Sequence, residues 1–155
     1  MEIKIALFIN LLLYAFVISQ SFFYILGLTA ATRNMQVNTY IESRKLLDQR
    51  LSKSLSSVYY LALISGIALT TFCVVNPSGL LFICSIVSLG ALIADVTLAV
   101  RGNIPLNKAI SSWTNTSYPS NWNDYRKKWF RFHTTRQVVN IIGFTTLLAG
   151  FVFGM

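Results

Sequence analysis

Four stretches of the chain are apolar almost without interruption: residues 5–28, 55–75, 79–100 and 137–154. A helix rises about 1.5 Å per residue, so roughly 20 apolar residues cross a hydrocarbon core of about 30 Å. The pattern predicts four membrane helices in a single integral domain, residues 1–155. The first stretch, IALFINLLLYAFVISQSFFYILGL, has no small-residue cleavage site at signal-peptide distance and is expected to remain as a span.

The polar positions fall between these stretches. Only NPSG (Asn76–Gly79), a turn-forming cluster, joins the second and third. Segment 29–54 contains NTYIESRKLLDQRLSKS (Asn38–Ser54). There Tyr40, Leu47, Leu51 and Leu55 share one helical stripe, and Glu42, Lys45, Gln49 and Lys53 fall on the other side. An amphipathic helix is expected to lead into the second span. It either lies at the membrane interface or closes the inner end of the bundle with Arg44 and Asp48 turned inward.

Segment 101–136 opens with Gly102 and Pro105, which are expected to end the third helix. Asn103 and Asn107 flank the proline with side chains able to hold a turn. After the loop TNTSYPSN (Thr114–Asn121) come Trp122, Arg126, Trp129, His133, Arg136 and Asn140, at steps of 4, 3, 4, 3 and 4. On an α-helix these six residues make one narrow stripe. Nothing interrupts the pattern before Val138, so the fourth helix is expected to begin near Asn123 and to run several turns before entering the membrane.

Composition agrees: 54% of the 155 residues are hydrophobic and 12% charged, against about 25% charged in soluble domains. Mean hydropathy is +0.58. The net charge of +8 could point to nucleic acid, but every Lys and Arg except Lys4 lies in segments 29–54 and 101–136. The positive-inside rule accounts for that distribution, places both segments in the cytoplasm and leaves both termini outside, with no nucleic-acid partner. The fold class expected is all-α: a left-handed up-down bundle of four transmembrane helices, extended on the cytoplasmic side by the amphipathic helix and the first turns of the fourth.

The stripe is the candidate chemistry. Tryptophans and arginines acting as interfacial anchors should point in several directions, whereas a shared stripe of aromatic, cationic and amide groups converges on a small-molecule pocket. Gln20 and Asp95 sit within spans. An ionisable group there is a functional candidate, although pairing with Arg101 or Arg136 would satisfy Asp95 structurally. Cys73 and Cys84 are equidistant from the turn. A disulfide is geometrically possible, but two buried thiols packing as small hydrophobes are the expectation. One histidine and two separated cysteines fall short of a metal site, so none is assigned, and an axial haem ligand stays as an alternative. GxSxG, P-loop, HExxH and dinucleotide motifs are absent, which argues against a hydrolase. The absence of an internal repeat argues against a transporter, although a homo-oligomer could build a pore.

NIPLN (Asn103–Asn107) and Trp113, followed by Trp122, Arg126, Trp129, His133 and Arg136, resemble the small four-helix membrane proteins that include fungal and bacterial anthrone oxygenases. Many bacterial members of that family have no assigned function. The layout of spans covers most of the chain, while the specific residues lie between Asn103 and Arg136. The resemblance implies oxidation of a small apolar phenolic substrate by O2 without a metal or organic cofactor, in a bacterial inner membrane. It implies His133 as the base and Arg136 beside it as the oxyanion partner, a pair suited to the step because an imidazole titrates near about 6.5. Trp122, Arg126, Trp129, Asn103, Asn107 and Asn140 would bind the substrate, with the tryptophans stacking on a flat ring. The alternative is a non-enzymatic protein that binds a lipid, a quinone or another apolar molecule in the same pocket. The other partners expected are membrane lipids and a second copy of the chain.

Overall fold

The computed structural model describes residues 1–75 and 79–154 and contains helices but no strand among them. The expected turn at Asn76–Gly79 lies outside the described residues except for Gly79, whose φ of 37° suits glycine. Four helices, Glu2–Arg33, Val37–Val75, Gly79–Ser111 and Trp122–Phe153, are long and apolar enough to cross a membrane.

The first of these is α1 (Glu2–Phe23), a π-turn at Tyr24–Leu28 and α2 (Thr29–Arg33). The second, α3 (Val37–Val75), is one unbroken helix of 39 residues that merges the amphipathic segment with the apolar span. The third is α4 (Gly79–Leu98), a second π-turn at Ala99–Asn103 and α5 (Ile104–Ser111). The last, α6, begins at Trp122, close to the start expected from sequence.

Gly102 and Pro105 do not end the third helix, as their types suggested. Proline cannot donate to the carbonyl four residues back and its ring crowds that group. The π-turn accommodates it by reaching one residue further, with the Ile104 N–H donating to the Ala99 carbonyl, and the chain stays helical to Ser111. Gly102 is required for another reason: a methyl group there would overlap the Phe132 ring of α6. The amphipathic segment also departs from its expected faces. Its buried residues are Tyr40, Ile41 and Arg44, Leu51 is exposed, and Lys45, expected on the solvent side, donates from Nζ to the Trp113 carbonyl.

The molecule is apolar outside. Phe8, Phe16, Ile64 and Ile83 point away from the bundle, as expected of surfaces that meet lipid tails. Its core has three parts. Along the spans, Leu7, Tyr14, Leu69, Leu92 and Leu147 pack together. Tyr24, Leu106, Trp129 and Phe130 form a second cluster. Tyr40, Ile41, Ile110 and Trp113 close the end of the bundle against Trp122 and Tyr125.

Specific contacts fix the helices laterally. The Asn10 amide in α1 donates to the Ala62 carbonyl (3.2 Å) and Ser65 hydroxyl (2.8 Å) of α3. Glycines let α4 and α6 approach closely, as small residues do in membrane interfaces. A methyl group at Gly143 would stand 2.6 Å from the Ala91 Cβ and collide with the Tyr14 hydroxyl, and one at Gly150 would stand 2.6 Å from the Cys84 Cβ. Gly143→Ala should therefore destabilise the bundle by about 1–3 kcal/mol through overpacking. Gly90→Ala in α4, where nothing lies within 4 Å, should leave stability unchanged or slightly raised. Thermal unfolding of both variants in one detergent checks the pair; equal losses would contradict the packing.

Candidate functional site

The lower part of the α6 stripe opens onto a cavity of about 610 Å3. Trp129, His133 and Arg136 form its α6 wall, Asn103 and Asn107 come from the second π-turn and α5, and Gln20 and Tyr24 come from the first helix. The α3 wall contributes Arg44 and Tyr59. Phe23, Leu51 and Ile104 line the cavity while remaining more than a third exposed, with the exposed Ser19, Ser52 and Ser56 beside them, so its mouth combines apolar side chains and hydroxyls.

Both π-turns border this space. Tyr24 and Leu28 bound the first, Ala99 and Asn103 bound the second, and all four line the cavity. One extra residue rotates everything that follows by about 100° around the helix axis. The second turn thus sets the register in which Asn103 and Asn107 line the cavity.

His133 lies between two aromatic rings. Its ring is stacked on Trp129 at 4.7 Å between centroids and tilted against Tyr24 at 4.2 Å. It is 2% exposed, and neither ring nitrogen has a hydrogen-bond partner among the described residues. Buried polar atoms are almost always paired, and an orphaned one needs an explanation such as a ligand or a catalytic role. Gln20 Oε1 and Arg44 Nε are orphaned around the same cavity.

Two guanidinium groups face this space, and their situations differ. Arg136 Nε donates to Asp95 Oδ1 at 2.5 Å, and the other two nitrogens reach Asp95 Oδ2 (3.4 Å), Asn103 Oδ1 (3.3 Å) and the Tyr59 hydroxyl (3.0 Å). Asp95 is fully buried, so of the two pairings open to it the structure selects Arg136. Arg44 has no carboxylate partner among the described residues. It donates to Asn107 Oδ1 (2.7 Å) and the Tyr24 hydroxyl (3.3 Å), and its Cζ lies 4.0 Å over the Trp129 ring. Asn107 is the hub of this side, accepting also from Trp129 Nε1 at 2.9 Å and donating to Asp48 Oδ1 at 3.0 Å. The Asn103 amide donates to the Trp129 carbonyl at 3.1 Å. Arg44 and Asp48 thus both turn inward, and α3 closes the cavity.

The stripe does not converge as one unit. Trp129, His133 and Arg136 line the cavity, but Trp122 and Arg126 lie apart from it. Arg126 donates to Asn123 Oδ1 (2.9 and 3.1 Å) and to the Met35 carbonyl (2.9 Å), with its Cζ 4.6 Å over Trp122. These two residues fasten α6 to the start of α3. Asn140 is buried one turn beyond Arg136, with Oδ1 orphaned, and does not line the cavity. Cys73 and Cys84 are buried free thiols. No cluster of three or more His, Cys, Asp and Glu side chains stands ready for a metal among the described residues.

Tyr24 and Tyr59 are the site residues that sequence reasoning missed. A tyrosine near the end of a span looks like an interfacial anchor, and only the partner reveals another use. Comparison with known proteins finds no matching family model, no similar curated protein and no similar solved structure.

Removing one member of the buried ion pair gives a sharp test. Asp95→Asn leaves the Arg136 charge without a counter-ion and should cost about 3–5 kcal/mol. The double change Asp95→Asn/Arg136→Met should recover part of that loss. Unfolding midpoints in detergent measure both; a double variant no better than the single would refute the coupling.

Proposed function

We propose that the chain is an integral membrane protein of the anthrone oxygenase type, which oxidises a flat, apolar phenolic molecule with O2 in the cavity around His133. The observation that carries this reading is the buried imidazole with two unpartnered nitrogens, stacked on Trp129 and facing an Arg44 that lacks a carboxylate. The proposed architecture is an up-down bundle in a bacterial inner membrane, with the basic segments in the cytoplasm and both termini outside. Supporting it, Asn10 meets Ala62 while Tyr24 meets Arg44, and Asp95 meets Arg136 while Cys84 faces Gly150. In each pair of helices the contacts run in opposite chain directions, and the basic side chains follow the positive-inside rule.

An apolar substrate enters from the bilayer between Phe23, Leu51 and Ile104, and its ring lies against the cavity-lining edges of Tyr24, His133 and Trp129. Neutral imidazole takes a proton from the enolisable CH2 group, and the resulting oxyanion rests against Arg44, the guanidinium with charge to spare. Arg136, already neutralised by Asp95, positions Asn103 and Tyr59 instead. The enolate gives one electron to O2, and the radical pair combines to a carbon-bound peroxide. Imidazolium returns the proton to that peroxide, and loss of water leaves a ketone, so CH2 and O2 become C=O and H2O.

A second reading, ligand binding without turnover, gains from the same geometry. Protonating His133 would add a second uncompensated positive charge to a buried site that already holds Arg44, which favours a purely packing role for the ring. An anionic substrate offsets that charge, and a neutral quinone or lipid does not.

Anthrone serves as probe for both readings, with O2 uptake as the measure of turnover and tryptophan quenching as the measure of binding. Oxygenation predicts that His133→Ala binds anthrone within a few-fold of the parent while turnover falls about 10²–10⁴-fold. Arg44→Gln should weaken binding of the ionised substrate more than that of a neutral quinone. Binding without O2 uptake in the parent protein would favour the second reading.

A further inference from the structure

Beyond that cavity, and independently of what it does, we infer that the groove between the end of α2 and the outer face of α6 binds the phosphate of an acidic phospholipid. The groove, of about 820 Å3, is lined by Arg33 of α2 and by Arg126, Lys127 and Arg131 of α6, with no carboxylate among its lining residues. The cations are not equally available. Arg126 is occupied by Asn123 and the Met35 carbonyl, and it contributes field rather than contacts. Arg33 and Arg131 have no ion-pair partner among the described residues. Lys127 pairs only with Asp124 at 3.8 Å, where both side chains are largely exposed and the pair is weak. Arg33 is also held in place, its Cζ 5.2 Å over the ring of Phe130 in the groove wall.

Three available cations from two helices thus surround a space whose lining holds no carboxylate. The groove then changes character along α6. Past Lys127 and Arg131 come Thr134 and Thr135, then Val138, and one turn on the exposed Ile142. A charged end that passes through hydroxyls into an apolar ridge matches a headgroup and its acyl chain. Free phosphate has no use for the ridge. The distribution also matches the depth at which anionic headgroups lie beside a span. Occupancy would tie α2 to α6 by a charge-assisted bridge, on the side of α6 away from the His133 cavity.

The full chain in mild detergent, exposed to equal amounts of phosphatidylglycerol and phosphatidylcholine, is examined by native mass spectrometry. Phosphatidylglycerol should be retained several-fold over phosphatidylcholine. Arg33→Gln/Arg131→Gln should abolish the preference, whereas Arg50→Gln/Lys53→Gln, which removes the same charge from α3, should leave it intact. Equal loss in both double variants, or loss in neither, overturns the site. Displacement of the lipid by millimolar inorganic phosphate also overturns it, since the groove would then serve a soluble anion. A measurement needing no variant stands beside these: phosphatidylglycerol should raise the unfolding temperature of the parent protein above that in phosphatidylcholine, and equal temperatures count against the inference.

Discussion

The fully buried carboxylate of Asp95 can exist within the bundle only because Arg136 meets it, and much of the structure is arranged around that pair. An ion pair away from water is tolerable when the remaining donors and acceptors are also satisfied. Arg136 meets this condition through Asn103 in the second π-turn and Tyr59 in α3. One planar fork therefore ties α4, α6, α3 and the π-turn together, which a lysine could not do with its single point of charge. From Asn103 the network continues to the Trp129 carbonyl, and from the Trp129 indole to Asn107 and Arg44. The cavity walls are the far end of this network.

The contrast between the two arginines sets the electrostatic character of the site. Arg136 is neutralised and held by four contacts, so its role is to fix geometry. Arg44 is 6% exposed, with neutral hydrogen-bond partners and an aromatic ring beneath it. A buried cation so placed attracts negative charge, and His133 stands within the same aromatic group. The resemblance implied Arg136 as the oxyanion partner. Under the proposed function Arg44 takes that place, because it has no carboxylate partner among the described residues.

Helix geometry solves a second problem. Walls that face lipid must be apolar, and a regular helix offers limited means of turning polar groups inward at a chosen level. The π-turns at Tyr24–Leu28 and Ala99–Asn103 shift the register at the level of the cavity. Deeper in the bundle the helices are regular and α4 and α6 close on glycines, which leaves little room for a ligand.

The four apolar helices, the early start of α6 and the inward turn of its stripe at Trp129, His133 and Arg136 were legible in the sequence. Hydrophobic length and a 3.6-residue period act locally, and any chain with those patterns must answer to them. The pairing of Asp95 was legible only as a choice between Arg101 and Arg136. The helical continuation through Gly102 and Pro105 was not legible, because residue preferences favour a break there, and the π-turn that accommodates Pro105 and the packing of Gly102 against Phe132 exist only in the assembled fold. The inward turn of Arg44 was legible as one of two alternatives, but spacing could not reveal that Trp122 and Arg126 contact the start of α3 instead of the cavity, or that Tyr24 and Tyr59 complete the site. Residues on four separate helices meet only once the bundle forms. Sequence determined which side chains share a face; tertiary structure decided what each face meets, because contacts between distant segments depend on the register of whole helices and leave no local period to read.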